Sequence, residues 1–417
     1  MQAPVRAEKV DEMSITERFL RYVKVYTTSD PDNEGTIPSA AREFDLAHML
    51  ESELKEMGLE GVVCDEQAYV YGYLPATPGC EGAPNVGFIA HMDTAPDFCG
   101  ENVNPVVHEN YDGGDVELKG RTIRVADFPN MAKLKGRTLI TADGTTLLGG
   151  DDKAGVAEIM TMLEQVIKSG IPHGRIAVGF TPDEEIGAGA NGFDVKGFGC
   201  DFAYTVDGGE EGGIDYENFN AASADFTVHG FNVHPGSSKN TMINASLVAM
   251  EINAMLPSGD TPRDTEGYEG FFHLCSMSGN VEKAALEYIV RDHSATVFDA
   301  RLETLRHIQK LINEKYGEGT AELTIREQYR NMIEMIRPCI QVVDYAKEAI
   351  REAGLEPIVE PIRGGTDGAR LSYMGLPCPN LGTGGYAAHG PYEHVTVEGM
   401  EKCTEILVNI VKRCAKA

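Results

Sequence analysis

Residues 147–187 read LLGGDDKAGVAEIMTMLEQVIKSGIPHGRIAVGFTPDEEIG. From Lys153 to about Ser169 the stretch spaces Ile159, Met160, Leu163 and Val166 along one helical face. Arg175 to Phe180 is short and largely apolar, which predicts a buried strand, and it runs into the turn TPDEEIG. Phe202 to Val206 repeats that texture and leads to Asp207; upstream, Val86 to Ala90 does the same and leads to His91. Strands alternating with a helix imply an α/β fold, a mixed, mostly parallel sheet flanked by helices. In such sheets functional groups gather at the carboxyl ends of the strands.

The surrounding sequence extends this pattern and then breaks it. Ser14 and Glu17 form a capping-box pattern before Phe19, Leu20, Val23 and Tyr26, and a second amphipathic helix spans about Ser39 to Met57. After about Asn218 the texture changes: AASADFTVHG alternates as a half-exposed strand, Met242 to Leu256 is helical, AALEYIVRD is strand-like, Phe298 to Tyr316 is a long helix and TAELTI a further strand. From about Met332 the α/β texture returns with a helix at Cys339–Ala353, the loop RGGTDGAR, the strand-like PCPNL and a last helix near Met400–Cys414. The expected organisation is a catalytic domain from 1–218 and 331–417, interrupted by an α+β insertion over 219–330. A chain of 417 residues also exceeds what one core usually serves.

The balance of 65 acidic against 36 basic residues gives a formal charge of −29. Such a surface repels phosphate backbones and anionic headgroups, which argues against nucleic acid and membrane partners; for most of these carboxylates, solubility is the simpler reading. The opening MQAPVRAEKVDEMSITERF has no apolar run of signal-peptide length, and no run anywhere is long enough for a bilayer span. Nine cysteines, an odd number without a CxxC pair, point to reduced thiols and a cytoplasmic setting.

Five metal-type ligands punctuate the predicted strand ends and turns: His91, Asp151, Glu185, Asp207 and His389, the last in GGYAAHG. Two histidines and three carboxylates can hold two divalent ions if one carboxylate bridges, the equipment of metal-assisted hydrolysis. Asp93, two residues beyond His91, is placed to orient a ligand from outside the coordination sphere. Asp151 and Asp152 precede a helix, where acids usually cap, but Gly149 and Gly150 would also let the backbone approach a metal pair with Asp151 bridging. Of Glu184 and Glu185, one would bind metal and the other serve as base toward a water that ionises roughly eight units below bulk water. Spacing alone leaves their order open. His234 in VHPGSSK reads locally as a solvent-facing turn residue, and Arg291 and Arg363 as ion-pair partners, although either arginine could grip a carboxylate bidentately.

Other chemistries find no support. DPDNEG at Asp30–Gly35 imitates a calcium loop, but its twelfth position is Ala41. No HExxH helix, GxSxG elbow or P-loop occurs, and no cysteine has a nucleophile context.

With these residues in place the chain resembles the M20 metallopeptidases, and within them the tripeptide aminopeptidases. The match spans nearly the whole chain and is carried by HMDTAPD, TLLGGDDKAGVAEIM, FTPDEEIG, YTVDGG, ENFNAAS, VHPG, TEGYEGF, PIRGGTDGARLSYMGLPCPNL and TGGYAAHG. The resemblance implies a di-zinc exopeptidase fold with an inserted lid and dimerisation domain. It implies two Zn2+ per subunit: one on His91 and Asp207, one on Glu185 and His389, with Asp151 bridging. Glu184 becomes the general base and Asp93 the carboxylate behind the ligands. His234 is implied to steady the oxyanion, and Asn280, Arg291 and Arg363 to contact substrate, Arg363 at the peptide's terminal carboxylate. The implied activity is removal of the N-terminal residue from short peptides, chiefly tripeptides, by attack of a metal-bridging water, in a homodimer. A dipeptidase, carboxypeptidase or amino-acylase would share the metal site.

Overall fold

The computed structural model describes residues 13–33 and 35–416. Residues 1–12, where no leader-like run was read, and Glu34 of the calcium-like loop lie outside the described residues. The chain divides into two compact units: Met1–Ile214 with Cys339–Val359 and Met374–Ala417, and Asp215–Pro338 with Glu360–Tyr373.

The first unit is built on a seven-stranded sheet in the order Glu60–Cys64, Val70–Leu74, Ile176–Thr181, Val86–His91, Phe202–Gly208, Asn380–Gly382, Ile214–Asp215. The central pairings are parallel and those of the first two strands antiparallel, so the sheet is mixed and mostly parallel, as the alternation predicts. Val86–His91 and Ile176–Thr181 are buried at every position, which explains why they read as unbroken apolar runs. Helix Gly150–Ser169 packs on the central strands and helix Glu43–Glu56 on the first two. Val397–Cys414 packs on Gly150–Ser169 and on Gln341–Glu352. At Gly155 helix and sheet meet so closely that a Cβ would lie 1.9 Å from the carbonyl oxygen of Val206. Glycine is therefore required there, and it is this approach that brings the start of the helix beside the end of strand Phe202–Gly208.

The first helix, Ile15–Tyr22, starts in the predicted capping box, with Ser14 and Glu17 bonded reciprocally. No sequence signal marks the small antiparallel sheet ordered Gly385–Tyr386, His394–Thr396, Leu139–Ala142, Pro105–His108. Its strands are two to four residues long, too short to show a period.

The second unit has an antiparallel sheet ordered Phe271–Gly279, Lys283–Asp292, Asn220–His229, Ala321–Tyr329. Helices Ala245–Ala254 and Ala295–Tyr316 cover a core that includes Phe226, Leu286, Tyr288, Phe298 and Leu305. Three features differ from the sequence reading. Phe271–Gly279 was not anticipated, because past Phe272 this edge strand is mostly exposed and lacks alternation. Residues 360–373, read with the first unit, fall in the second: Ile362 bonds to the backbone of Glu217 and Phe219, and Arg363 to the 265–269 loop. Within RGGTDGAR, Asp367 opens a short helix to Tyr373 where a loop was expected.

Candidate metal centre

Parallel register sets the site. Strand Val86–His91 lies between Ile176–Thr181 and Phe202–Gly208, with His91 paired to Thr181, so all three strands end on one edge. That edge presents His91, the turn Glu184–Ile186 and Asp207 together, and the start of helix Gly150–Ser169 adds Asp151. Asp151 and Asp152 have non-helical backbone angles, and the peptide between them is cis. His389 arrives on the loop between Gly385–Tyr386 and His394–Thr396, with φ +63°.

All five predicted ligands converge. His91 Nε2 lies 2.9 Å from Asp151 Oδ1 and 3.4 Å from Asp207 Oδ1. His389 Nε2 lies 3.0 Å from Glu185 Oε2 and 3.4 Å from Asp151 Oδ2. Asp151 thus offers one oxygen to each histidine, with Asp207 beside the first and Glu185 beside the second. His91, Asp151 and Glu185 form one group with donor atoms within 4.8 Å, and His91, Asp152 and Asp207 another.

Behind the ligands stands a set of carboxylates. The Nδ1 of His91 faces the carbonyl oxygen of Asp93 at 3.1 Å and its Oδ1 at 3.3 Å. Asp93 also accepts the backbone N–H groups of Glu184 at 3.0 Å and Glu185 at 3.1 Å. Asp183 turns the chain ahead of that pair at φ +56°, its N–H donated to Glu43 and its carboxylate accepting from Ser39. Burial, with Asp93 and Asp183 nearby, pushes Glu43 up to about 10.

The charges fit a cation site. Burial disfavours the His91 imidazolium, yet Asp207 and Asp151 hold its pKa well above the usual range. Hydrogen bonds to Asp151 and Glu185 raise His389 to about 11, and burial lifts Asp207 to about 7. Protons here neutralise clustered carboxylates where divalent ions would do so. Glu185 Oε1 is buried without a hydrogen-bond partner, a donor atom that a bound ion would satisfy. The donor set of imidazoles and carboxylates suits zinc and its neighbours.

Residues 143–413 match peptidase family M20/M25/M40. Peptidase T of Clostridium perfringens is 54% identical over 400 residues, 95% of this chain and 98% of that protein. The chain belongs to peptidase family M20/M25/M40. It is accordingly a metallo-aminopeptidase, a hydrolase of peptide bonds. Its fold superimposes on the aminopeptidase PepT of Bacillus cereus with a TM-score of 0.77 at 22% identity, covering 96% of this chain and 98% of that one. A tripeptidase of Staphylococcus aureus gives a TM-score of 0.74 at 21% identity, covering 97% and 98%.

The other candidate residues of this M20 peptidase lie in the second unit, each engaged locally. His234 caps the turn Pro235–Ser237, its Nδ1 accepting the Gly236 N–H at 3.1 Å. Asn280 closes the hairpin before Lys283 by accepting the Glu282 and Lys283 N–H groups. Arg291 donates to the carbonyls of Ala222 and Val290 and lies over the Tyr329 ring. Arg363 donates to Gly267, Glu269 and Thr265 and stacks near Phe219 and Phe271.

Sequence reasoning missed three acids of the first unit. Asp152, read as a cap, is buried and accepts the His91 backbone N–H at 3.2 Å. Asp97 Oδ2 lies 3.7 Å from His389 Nδ1, and its place in HMDTAPD was the available signal. Glu393 accepts the N–H groups of Leu148, Gly149 and Asp151, each at 2.8 Å. Nothing local marks it.

Proposed function

We propose that the chain is a di-zinc aminopeptidase that removes the N-terminal residue from short peptides, chiefly tripeptides. The observation that carries this reading is Asp151, one carboxylate with an oxygen toward each of two histidines, flanked by a further carboxylate on either side. His91 and Asp207 would hold one ion, Glu185 and His389 the other, and Asp151 both. When bound, the ions would polarise the scissile carbonyl and acidify the attacking water.

The protein's own groups do the rest. Glu184 takes the proton from the attacking water and returns it to the leaving amine. Asp93 fixes the His91 ring through Nδ1 and fixes Glu184 through its backbone, so base and ligand share one anchor. By resemblance, His234 steadies the oxyanion, Asn280 and Arg291 contact the peptide, and Arg363 takes its terminal carboxylate. For Arg363 that role means exchanging bonds to the 265–269 loop for bonds to substrate. A homodimer formed through the inserted domain and a cytoplasmic location belong to the same proposal. Among the described residues, no helix is long and apolar enough to cross a membrane.

Mass spectrometry of products from a free tripeptide, its N-acetylated form and the matching dipeptide, with zinc supplied, tests the reading. Release of only the first residue from the free tripeptide is expected. Preferential cleavage of the acetylated peptide or the dipeptide would assign another M20-type amide hydrolase activity instead.

A further inference from the structure

Glu393 has no part in the reaction just described, yet it is 2% exposed and gathers three backbone N–H groups from one loop. Oε2 accepts from Leu148 and Gly149, and Oε1 accepts from Asp151, the residue that faces both histidines. The loop is shaped for this contact. Gly149 sits at φ +79°, and a Cβ on Gly150 would meet Val395 Cγ1 at 2.9 Å and Glu393 Oε1 at 3.2 Å. The brace is itself anchored, because strand His394–Thr396 pairs with Leu139–Ala142, the strand that leads into the loop. Four residues before it on the same segment stands His389. A single stretch of chain therefore carries one ligand and fixes the backbone of another.

Electrostatics gives the contact a direction. Without an acceptor, three N–H dipoles beside a cation site would be buried unbonded, each carrying its full desolvation penalty. A carboxylate satisfies all three, and neither oxygen has to act as a donor. Glutamine at this position would turn an amide NH2 toward at least one of those N–H groups.

We propose that Glu393 is a positioning residue that shapes the Leu148–Asp151 loop before any ion arrives and so sets the affinity of the centre for metal. The proposal rests on the two-ion reading above, and its test separates the two. In the wild-type protein, hydrogen exchange of peptides covering 148–151 is measured after chelation and after zinc loading. Slow exchange in both states is expected; protection that appears only with zinc overturns the proposal. Competition titration of zinc into stripped Glu393→Gln and Glu393→Asp should then show 10- to 100-fold weaker binding. In the glutamine variant, kcat at saturating zinc should fall with KM little changed. Zinc bound by Glu393→Gln as tightly as by wild type overturns the proposal, whereas failure of the wild type to bind zinc at all defeats the two-ion reading. If the variants do not fold, the exchange experiment on the wild type still decides.

Discussion

Asp93 holds Glu184 through its backbone: the Asp93 carboxylate accepts the Glu184 N–H at 3.0 Å. The same group, 0% exposed, faces the His91 ring. Asp93→Ala should therefore disturb both ligand and base, lowering kcat and zinc affinity by 10- to 100-fold each. Steady-state kinetics at controlled free zinc checks this. An Asp93→Ala enzyme with normal kcat would show that the turn keeps its shape unaided.

Glu184→Ala isolates the base. Turnover should fall by 10²- to 10⁴-fold, while zinc content, measured by plasma mass spectrometry, stays at the wild-type value because Glu185, not Glu184, is the proposed ligand. A variant that keeps most of its rate would remove Glu184 from the mechanism. One that loses zinc as well would show that the two neighbours had been assigned the wrong way round.

Metal binding should release protons. The His91 and His389 imidazoliums are stabilised by the carboxylates that would bind the ions, with His389 raised to about 11. Those carboxylates favour the charged imidazoles in the metal-free protein, and an entering cation must displace the protons they hold. Apparent zinc affinity should rise with pH across the neutral range and fall on acidification. Calorimetric titration in two buffers of different ionisation enthalpy measures the protons released; identical heats in both buffers would contradict the expectation.

Glu158 offers a stability test away from the chemistry. It is fully buried, both oxygens lack hydrogen-bond partners, and burial, with Glu211 nearby, raises its pKa well above 4.5. The folded protein keeps this proton while the unfolded chain loses it above about pH 4.5. Its contribution to stability is therefore full below that pH and declines as pH rises toward the folded value, by up to about 1.4 kcal/mol per pH unit. Glu158→Gln should remove this decline, raising Tm at pH 8 more than at pH 5. A parallel shift at both pH values would refute the assignment.

What the sequence revealed tracks how local each signal was. Strands 86–91 and 176–181 were legible because every residue is buried, and their ends marked His91 and the Glu184–Glu185 turn. Helix Gly150–Ser169 read correctly from Lys153 onward, but its first turn departs from helical geometry at Asp151 and Asp152 and carries no period there. Edge strand Phe271–Gly279 was hidden by exposure. Glu393 was illegible for another reason. Its partners are backbone amides up to 245 residues away, and an amide has no letter in the sequence.

The position of His389 also has a bearing on synthesis. Four of the proposed ligands are encoded by residue 207, but the fifth emerges only after the entire second unit has been made. A ribosome that stalls anywhere in between releases a polypeptide with an incomplete donor set. On the proposed ligand set, peptide-cleaving capacity is thus withheld from any product truncated before His389.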